Sequence, residues 1–159
     1  MAVTLTTEGM EAALEGLQRL AGFDAAQILD EVGAIVEDST KVRIADEKTA
    51  PDGTPWADWS ADYAASRRAQ HSLLVASGNP GLLESIQRYA TPTEVEVGSN
   101  MVYAAVHQFG AARGAFGNTS RGSPIPWGDI PARPYLGLSD DDRQEIETFV
   151  SDRLGDLLQ

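Results

Sequence analysis

The sequence predicts an α+β fold, in which a short, mainly antiparallel sheet packs against a long N-terminal helix and a C-terminal helix. Apolar residues recur at helical spacing between residues 24 and 44 and again after residue 139. Between these segments, Val95-Glu96-Val97 alternates apolar and acidic residues, as a half-buried strand does. The chain has 159 residues, 42% of them apolar, so we expect a single domain (1–159) with its own core.

Two helices are predicted in the N-terminal part. Thr6-Thr7-Glu8 supplies a cap and an early acid for the first, whose apolar face holds Met10, Leu14, Leu17 and Leu20. Asp24 is placed to cap the second, which is the longest predicted helix and the expected support of the core. Its apolar face comprises Ile28, Leu29, Val32, Ile35, Val36 and Val42 and runs toward Ile44.

Residues 51–60 are rich in turn formers but contain two of the three tryptophans. Trp56 and Trp59 are three residues apart, so in a turn of helix they would share a face and hold the loop against the body. A platform that stacks sugars or bases is the alternative, and the lack of basic neighbours favours packing. A short helix is predicted over 63–70, and its Arg67-Arg68 pair is too little positive charge for a phosphate site.

The middle of the chain predicts an antiparallel hairpin followed by a short helix. Residues 85–90 and 93–97 flank Thr91-Pro92 and form the two predicted strands. Gly98-Ser99-Asn100 ends the second strand. One face of a short helix, closed by Gly110, is then predicted from Val102, Ala105, Val106 and Phe109.

Residues 111–128 are glycine-rich and long for a connection inside a compact domain. They contain Phe116, Ile125 and Trp127, apolar residues that a solvated linker does not need. Either the segment is a mobile excursion, or it is an arm that orders against a neighbouring subunit. In the second case the interface also includes Arg113, Arg121 and the nearby Arg133.

The C-terminal part predicts a last strand and a last helix. Pro131 and Pro134 keep their preceding residues extended, and Tyr135, Leu136 and Leu138 then form the strand. Ser139 and Asp142 approximate a capping box at the start of the helix. The apolar face of that helix holds Ile146, Phe149, Val150, Leu154 and Leu157.

The chain carries 24 acidic and 12 basic residues, a net charge of −12. Such a surface repels phosphate and disfavours sequence-specific DNA binding. Three uses of the acid remain: solubility, mimicry of DNA against a basic protein, or a channel wall past which DNA slides. The absence of cysteine, signal peptide and spanning segment predicts a soluble protein made in a reducing compartment, with no membrane contact.

The residues predict neither an enzyme nor a cofactor or metal site. His71 and His107 are the two histidines, and the chain has no His-x-x-x-His pair, Gly-x-Ser-x-Gly elbow or Gly-Lys-Ser/Thr ending. His107 as a general base is the alternative, but a histidine beside a short apolar helix is more often a hydrogen-bonded structural residue.

Four blocks in order resemble the phage virion morphogenesis family, which includes tail completion proteins of contractile-tailed phages and the G protein of Mu-like phages. They span roughly residues 40–150. Their residues are Pro51-Asp-Gly-Thr-Pro-Trp56, Leu73-Leu-x-x-Ser-Gly78 with Ser85-Ile86, Val97-Gly-Ser-Asn with Tyr103-Ala-x-x-His-Gln-Phe-Gly110, and Ile130-Pro-Ala-Arg-Pro-Tyr-Leu-Gly-Leu-Ser139. The packing residues we expect in and beside these blocks are Trp56, Trp59, Tyr103, His107, Phe109 and Tyr135.

The resemblance implies a structural virion protein at the neck or upper tail, a tail-completion, terminator or head–tail connector component made in the host cytoplasm. It implies a homo-oligomeric ring, expected to be hexameric, that contacts neighbouring neck, connector or tail-tube proteins. DNA would pass through the ring without specific binding. The alternative from another class is an acidic DNA mimic or inhibitor that binds a basic partner.

Overall fold

The computed structural model describes residues 24–66, 71–76 and 80–157. The predicted first helix (Met10 to Leu20) and the Arg67-Arg68 pair lie outside the described residues. The described chain has the predicted α+β architecture. Its helices and strands are α1 (Ala25–Val42), α2 (Ala61–Ser66), β1 (Ile86–Ala90), β2 (Val95–Ser99), α3 (Ala104–Phe109) and α4 (Asp140–Leu157).

Helix α1 begins at the predicted cap, since Asp24 Oδ1 accepts hydrogen bonds from the backbone N–H groups of Ala26 (3.0 Å) and Gln27 (3.3 Å). A π-helical turn, Arg43–Glu47, continues the helix to Lys48, which has a φ of 59°. Lys48 Nζ donates to the carbonyl of Ile44 and to that of Leu73 (3.1 Å), so the end of the helix is tied to the loop beyond it.

The predicted antiparallel hairpin is confirmed. Its strands pair from Ile86 opposite Ser99 to Ala90 opposite Val95, slightly later in the chain than expected. The turn is closed by a hydrogen bond from Thr91 N–H to the Glu94 carbonyl (2.8 Å). Among the described residues these two strands make the whole sheet.

Helix α1 packs closely on this hairpin at Gly33. A Cβ atom there would lie 2.6 Å from Val95 Cγ2 and 3.0 Å from Arg88 Cδ, so no larger residue fits without movement. Arg88 on β1 reaches across the contact to Asp30 (3.0 Å) and Glu37 (2.8 Å) of α1. Helix α1 and the β1–β2 hairpin therefore pack directly against each other as two layers.

Helix α4 starts with the predicted capping box. Asp142 N–H donates to Ser139 Oγ (3.1 Å), and Ser139 N–H donates to Asp142 Oδ2 (2.7 Å). Helix α4 contacts α1, and Ile146, Phe149 and Val150 of the predicted apolar face are half-buried. An ion pair between Arg153 Nη2 and Glu31 Oε2 (2.7 Å) also joins the two helices.

The predicted last strand is wrong. Tyr135, Leu136 and Leu138 are extended without pairing in a described sheet. Gln108 takes the place of a partner strand: its Oε1 accepts from the N–H groups of Tyr135 and Leu136 (3.0 Å each), and its Nε2 donates to the Leu136 carbonyl (3.1 Å). Gln108 thus satisfies both backbone N–H groups of Tyr135 and Leu136 and one carbonyl of this segment, in which Pro134 has no N–H group to donate.

Helix α3 ends at Gly110 as predicted, but its predicted apolar face points outward. Val102 is 98% exposed and Phe109 is 78% exposed, whereas Ala104 is buried. The helix turns this way because Gln108 must reach the backbone of 134–136 and the Ala104 carbonyl accepts from the hydroxyl of Tyr135 (3.2 Å).

The core lies between the end of α1, the 51–56 loop, the hairpin, α3 and the 133–136 segment. Its most buried apolar residues are Ile44, Trp56, Leu82, Ile86, Ala104 and Tyr135. Most of the predicted α1 face is only half-buried, and Val42 is 47% exposed. No helix in the described part of the chain is both long and apolar enough to cross a membrane.

Candidate assembly surface

Residues 111–128, here called the arm, form an irregular hairpin held by their own backbone. At its base, Ala111 and Ile130 exchange both backbone hydrogen bonds (2.9 and 2.8 Å). Further out, Phe116 N–H donates to the Ile125 carbonyl and Ile125 N–H donates to the Gly117 carbonyl (2.8 Å each). The arm thus has a defined shape without contributing strands to the sheet.

The arm presents apolar side chains to solvent. Trp127 is 78% exposed and Phe116 is 59% exposed, and Ile125 is also on the surface. Together with Val102 and Phe109 of the preceding segment they make a run of exposed large apolar residues. Single exposed apolar residues are ordinary, but several in one stretch of chain are typical of a contact surface.

The same stretch differs from the rest of the chain in charge. Residues 97–128 contain no aspartate or glutamate, and they include Arg113 and Arg121, although the whole protein has a net charge of −12. Both arginines are exposed on the arm. Asp129 at the base of the arm accepts a hydrogen bond from Arg113 N–H (2.8 Å), so two arginines and one aspartate leave this surface with a net positive charge.

Arg133, predicted as an interface residue, is instead buried and holds the protein's own loop. Its Nε donates to the Ala57 carbonyl (2.9 Å) and its Nη2 to the Asp58 carbonyl (3.1 Å). Burial lowers the pKa of Arg133. Because its donors are used inside the chain, Arg133 belongs to the fold and not to the exposed surface.

Trp56 and Tyr135 are buried at the centre of the core. Trp56 Nε1 donates to the Pro134 carbonyl (2.9 Å), so the loop and the extended segment are joined through the indole. Trp59 is half-buried and meets the ring of Tyr63 edge-on at 5.7 Å. The two tryptophans do not share a helical face, since residues 56–60 form no helix. Phe109, predicted to pack, lies on the surface instead.

His107, in α3, is half-buried. Its ring meets Tyr103 edge-on at 5.7 Å, and its carbonyl accepts from Arg133 N–H (2.8 Å). Burial, reinforced by the positive charge of Arg133, lowers the pKa of His107 and so favours the neutral imidazole. Within the described chain Nδ1 has no hydrogen-bond partner, so no described carboxylate orients the ring through that atom.

A second surface, here called the acidic cleft, lies between α1, residues 47–53 and the start of α4 and encloses about 950 Å³. Val42 and Leu138 expose apolar surface in it. Its exposed acids are Asp38, Glu47, Asp52, Asp140, Asp141 and Glu145. Among the described residues, no group of three or more histidine, aspartate or glutamate side chains is placed to hold a metal ion.

The floor of the cleft contains an ion pair that the sequence analysis missed. Arg43 and Asp142 are both buried, with 3.2 Å between Nη2 and Oδ2. Arg43 also donates to the carbonyls of Tyr135 (2.9 Å) and Gly137 (3.3 Å) and to Ser39 Oγ (3.1 Å). The available signal was a charged residue between Val42 and Ile44, inside an apolar pattern.

The chain is similar to known phage proteins over most of its length. The sequence profile of the phage virion morphogenesis family matches residues 5–155, a wider span than the four blocks. The putative capsid assembly protein G of Escherichia phage Mu is 32% identical over 148 residues, which cover 82% of this chain and 88% of that protein. No solved structure matches the chain significantly.

Two proteins of Haemophilus influenzae are also similar. Mu-like prophage FluMu G protein 1 is 27% identical over 140 residues, covering 86% of this chain and 84% of the relative. Mu-like prophage FluMu G protein 2 is 35% identical over 91 residues, covering 54% of this chain and 59% of the relative.

Proposed function

Because the chain belongs to the phage virion morphogenesis family and so has a structural or assembly role in making a phage particle, we propose that it is a tail-completion or neck-ring protein. In this role it joins tail to head around the path of the DNA. Its work is to bind copies of itself and adjoining connector or tail-tube proteins, without catalysis. The ring has six copies, in keeping with the resemblance, and stays in the neck or upper tail of the virion.

The observation that carries this proposal is the set of exposed apolar side chains on the arm, on α3 and just before α3. Trp127 and Phe109 are each 78% exposed in the single chain. Aromatic residues buried at the centre of an interface contribute most of the affinity in many complexes. A protein whose task is assembly has a use for such a surface, whereas a freely dissolved inhibitor gains only a tendency to aggregate.

The charge of the chain suits the same role. An inner wall that carries net negative charge repels the phosphates of DNA and lets it move without adhesion. A closed ring needs two different contact patches on each subunit, because every copy meets its neighbours head to tail. The apolar, positive arm and the acidic cleft are two such patches on one chain.

The test is a Phe116→Ala, Trp127→Ala double variant supplied to the phage in place of the wild-type chain. Burying each aromatic on a partner is worth about 1.5–3 kcal/mol, so we expect the variant to fold but to give few joined, infectious particles. Tyr89→Ala is the matched control, since Tyr89 is a similarly exposed aromatic on β1, outside the acid-free stretch.

Three measurements decide the outcome: infectious titre, mass spectrometry of purified particles and electron microscopy of the necks. Absence of the wild-type chain from finished particles would refute a virion role and leave an acidic inhibitor as the better description. Normal yield of infectious particles from the double variant would show that the arm is not an assembly element. Microscopy of the neck also gives the copy number and the side of the joint on which the protein lies.

A further inference from the structure

We infer that the arm of one copy docks into the acidic cleft of the next copy, so that arm and cleft are the two halves of one head-to-tail interface. This inference rests on the proposed ring and specifies which surfaces meet in it. The occupant of the cleft is a second copy of this chain, chosen because arm and cleft are complementary in charge and both expose apolar groups.

The cleft has the chemistry to receive an apolar, positively charged segment. Val42 and Leu138 leave apolar surface exposed in it. Six exposed acids surround that surface, with Arg143 as the exposed basic residue among the described lining. A segment that enters the cleft must bury apolar groups against the exposed apolar surface. It must also bring positive charge, because an uncharged partner would leave the carboxylates without an opposite charge.

The arm has the complementary composition. Residues 111–128 contain no acid, carry Arg113 and Arg121, and expose Phe116 and Trp127. Its hairpin is already closed by hydrogen bonds within its own backbone, including that from Phe116 N–H to the Ile125 carbonyl (2.8 Å). Little ordering of the arm is then required on docking, which favours binding.

The arm does not fill the cleft of its own chain. In the single chain Phe116 is 59% exposed and Val42 is 47% exposed, so both surfaces remain open to solvent. Because arm and cleft are made of different residues, their pairing is heterologous. Such contacts propagate from copy to copy and close into a ring when the rotation between neighbours permits it.

The experiment uses two charge-reversed proteins. The arm variant carries Arg113→Glu and Arg121→Glu, and the cleft variant carries Asp38→Lys and Glu145→Lys. All four residues are exposed, and none caps a helix in the structure. Self-association of the purified full chains is measured by native mass spectrometry and sedimentation velocity at low salt, and circular dichroism checks that each variant is folded.

Each variant alone is expected to associate at least about tenfold more weakly than the wild-type chain. The reversed arm is repelled by the cleft acids, whereas the cleft variant keeps four exposed acids against three exposed bases and so loses most of its attraction for a positive arm. An equimolar mixture is expected to regain part of the assembly, with equal numbers of the two variants, because the introduced lysines then face the introduced glutamates. In the mixture the wild-type arm of the cleft variant can dock into the wild-type cleft of the arm variant. The reversed arm of the arm variant can dock into the reversed cleft of the cleft variant. A single chain carrying all four substitutions should assemble as well.

Two control variants separate the local effect from the change in net charge of the cleft variant and from the loss of the arginine side chains of the arm. Glu94→Lys with Glu96→Lys makes the same charge change as the cleft variant on exposed residues of the hairpin, and Arg113→Lys with Arg121→Lys keeps the positive charge of the arm. Both are expected to associate like the wild-type chain. Loss of association in the hairpin control would overturn the inference, since net charge alone would then account for the result.

The remaining outcomes distinguish this inference from the proposed function. Normal assembly of either charge-reversed variant by itself, or no recovery in the mixture, overturns the pairing of arm and cleft while the ring stands. If the mixture does not recover, the arm and the acidic cleft bind other virion proteins instead of each other. A wild-type chain that neither associates in solution nor occurs in virions overturns the proposed ring, and the pairing with it.

Discussion

The buried guanidinium of Arg43 joins parts of the chain that are 99 residues apart, by reaching the carboxylate of Asp142. Burial of Asp142 acts to raise its pKa, but hydrogen bonds from Ser39 and Ser139 and the charge of Arg43 lower it overall. Removing one partner of a buried pair leaves an uncompensated charge.

We therefore expect Asp142→Asn to lower the free energy of unfolding by about 3 kcal/mol in urea denaturation at neutral pH. Asp141→Asn is the control: it removes the same charge from an exposed neighbour and should change stability by less than about 0.5 kcal/mol. The pKa of Asp142 is lowered by folding, so its stabilisation is present at neutral pH and is lost as the pH falls through the acidic range. Equal effects of the two substitutions would show that the pair does not stabilise the fold.

His107 gives a second prediction, in a different pH range. Folding lowers its pKa, so the unfolded chain takes up a proton near the ordinary value of about 6.5 while the folded chain does so at lower pH. Stability should therefore fall as the pH is lowered from about 7 to about 5. His107→Gln should weaken this decline, measured by urea denaturation at several pH values. An unchanged slope would mean that His107 titrates alike in both states.

Gln108 determines how α3 and the 134–136 segment are held together. Gln108→Leu removes an acceptor for two backbone N–H groups and a donor to one carbonyl. We therefore expect the free energy of unfolding to fall by about 2–3 kcal/mol. Hydrogen exchange should show that the amides of Tyr135 and Leu136 lose protection. Gln108→Glu retains the acceptor and should preserve more of that protection. Full protection in Gln108→Leu would assign the segment's order to packing alone.

The sequence indicated those elements whose signals are local. The Ser139 and Asp142 capping box, the Asp24 cap and the hairpin around Thr91 each depend on residues close together in the chain, and all three formed. The spacing of Ala105, Val106 and Phe109 predicted one face of a short helix, and all three lie in α3, whereas Val102 precedes it. Spacing does not tell which face is inward, and here the inward side was determined by Gln108.

Contacts between a side chain and backbone groups far away in the chain produce no local sequence pattern, so they were not predicted. Arg133 was assigned to the surface from its charge, but its partners are the carbonyls of Ala57 and Asp58, about 75 residues away in the chain. The hydrogen bond from Arg43 to the Gly137 carbonyl also joins residues far apart in the chain. Phe116 and Trp127 are exposed on a segment that its glycine-rich composition set apart, and their place in a subunit interface stays a prediction.

For the molecule as a whole, salt should act in opposite directions on folding and on assembly. A net charge of −12 repels itself within the folded chain, so screening should raise the melting temperature of a monomeric variant such as Phe116→Ala, Trp127→Ala as salt rises from about 20 to about 500 mM. Contacts between positive arm and acidic cleft should weaken over the same range. Calorimetry and sedimentation measure the two effects, and a common direction would contradict this account.

The acidic cleft is lined by residues 34–53 from one part of the chain and 138–145 from another, with the arm encoded between them. During synthesis the arm leaves the ribosome before α4, which supplies one wall of the cleft, has been made. On the inferred pairing, a growing chain displays an arm before its own cleft is complete, and we expect two nascent chains not to join through this contact. We expect a chain to receive a neighbour's arm only after its C-terminal helix has docked, so that completion of the fold precedes assembly.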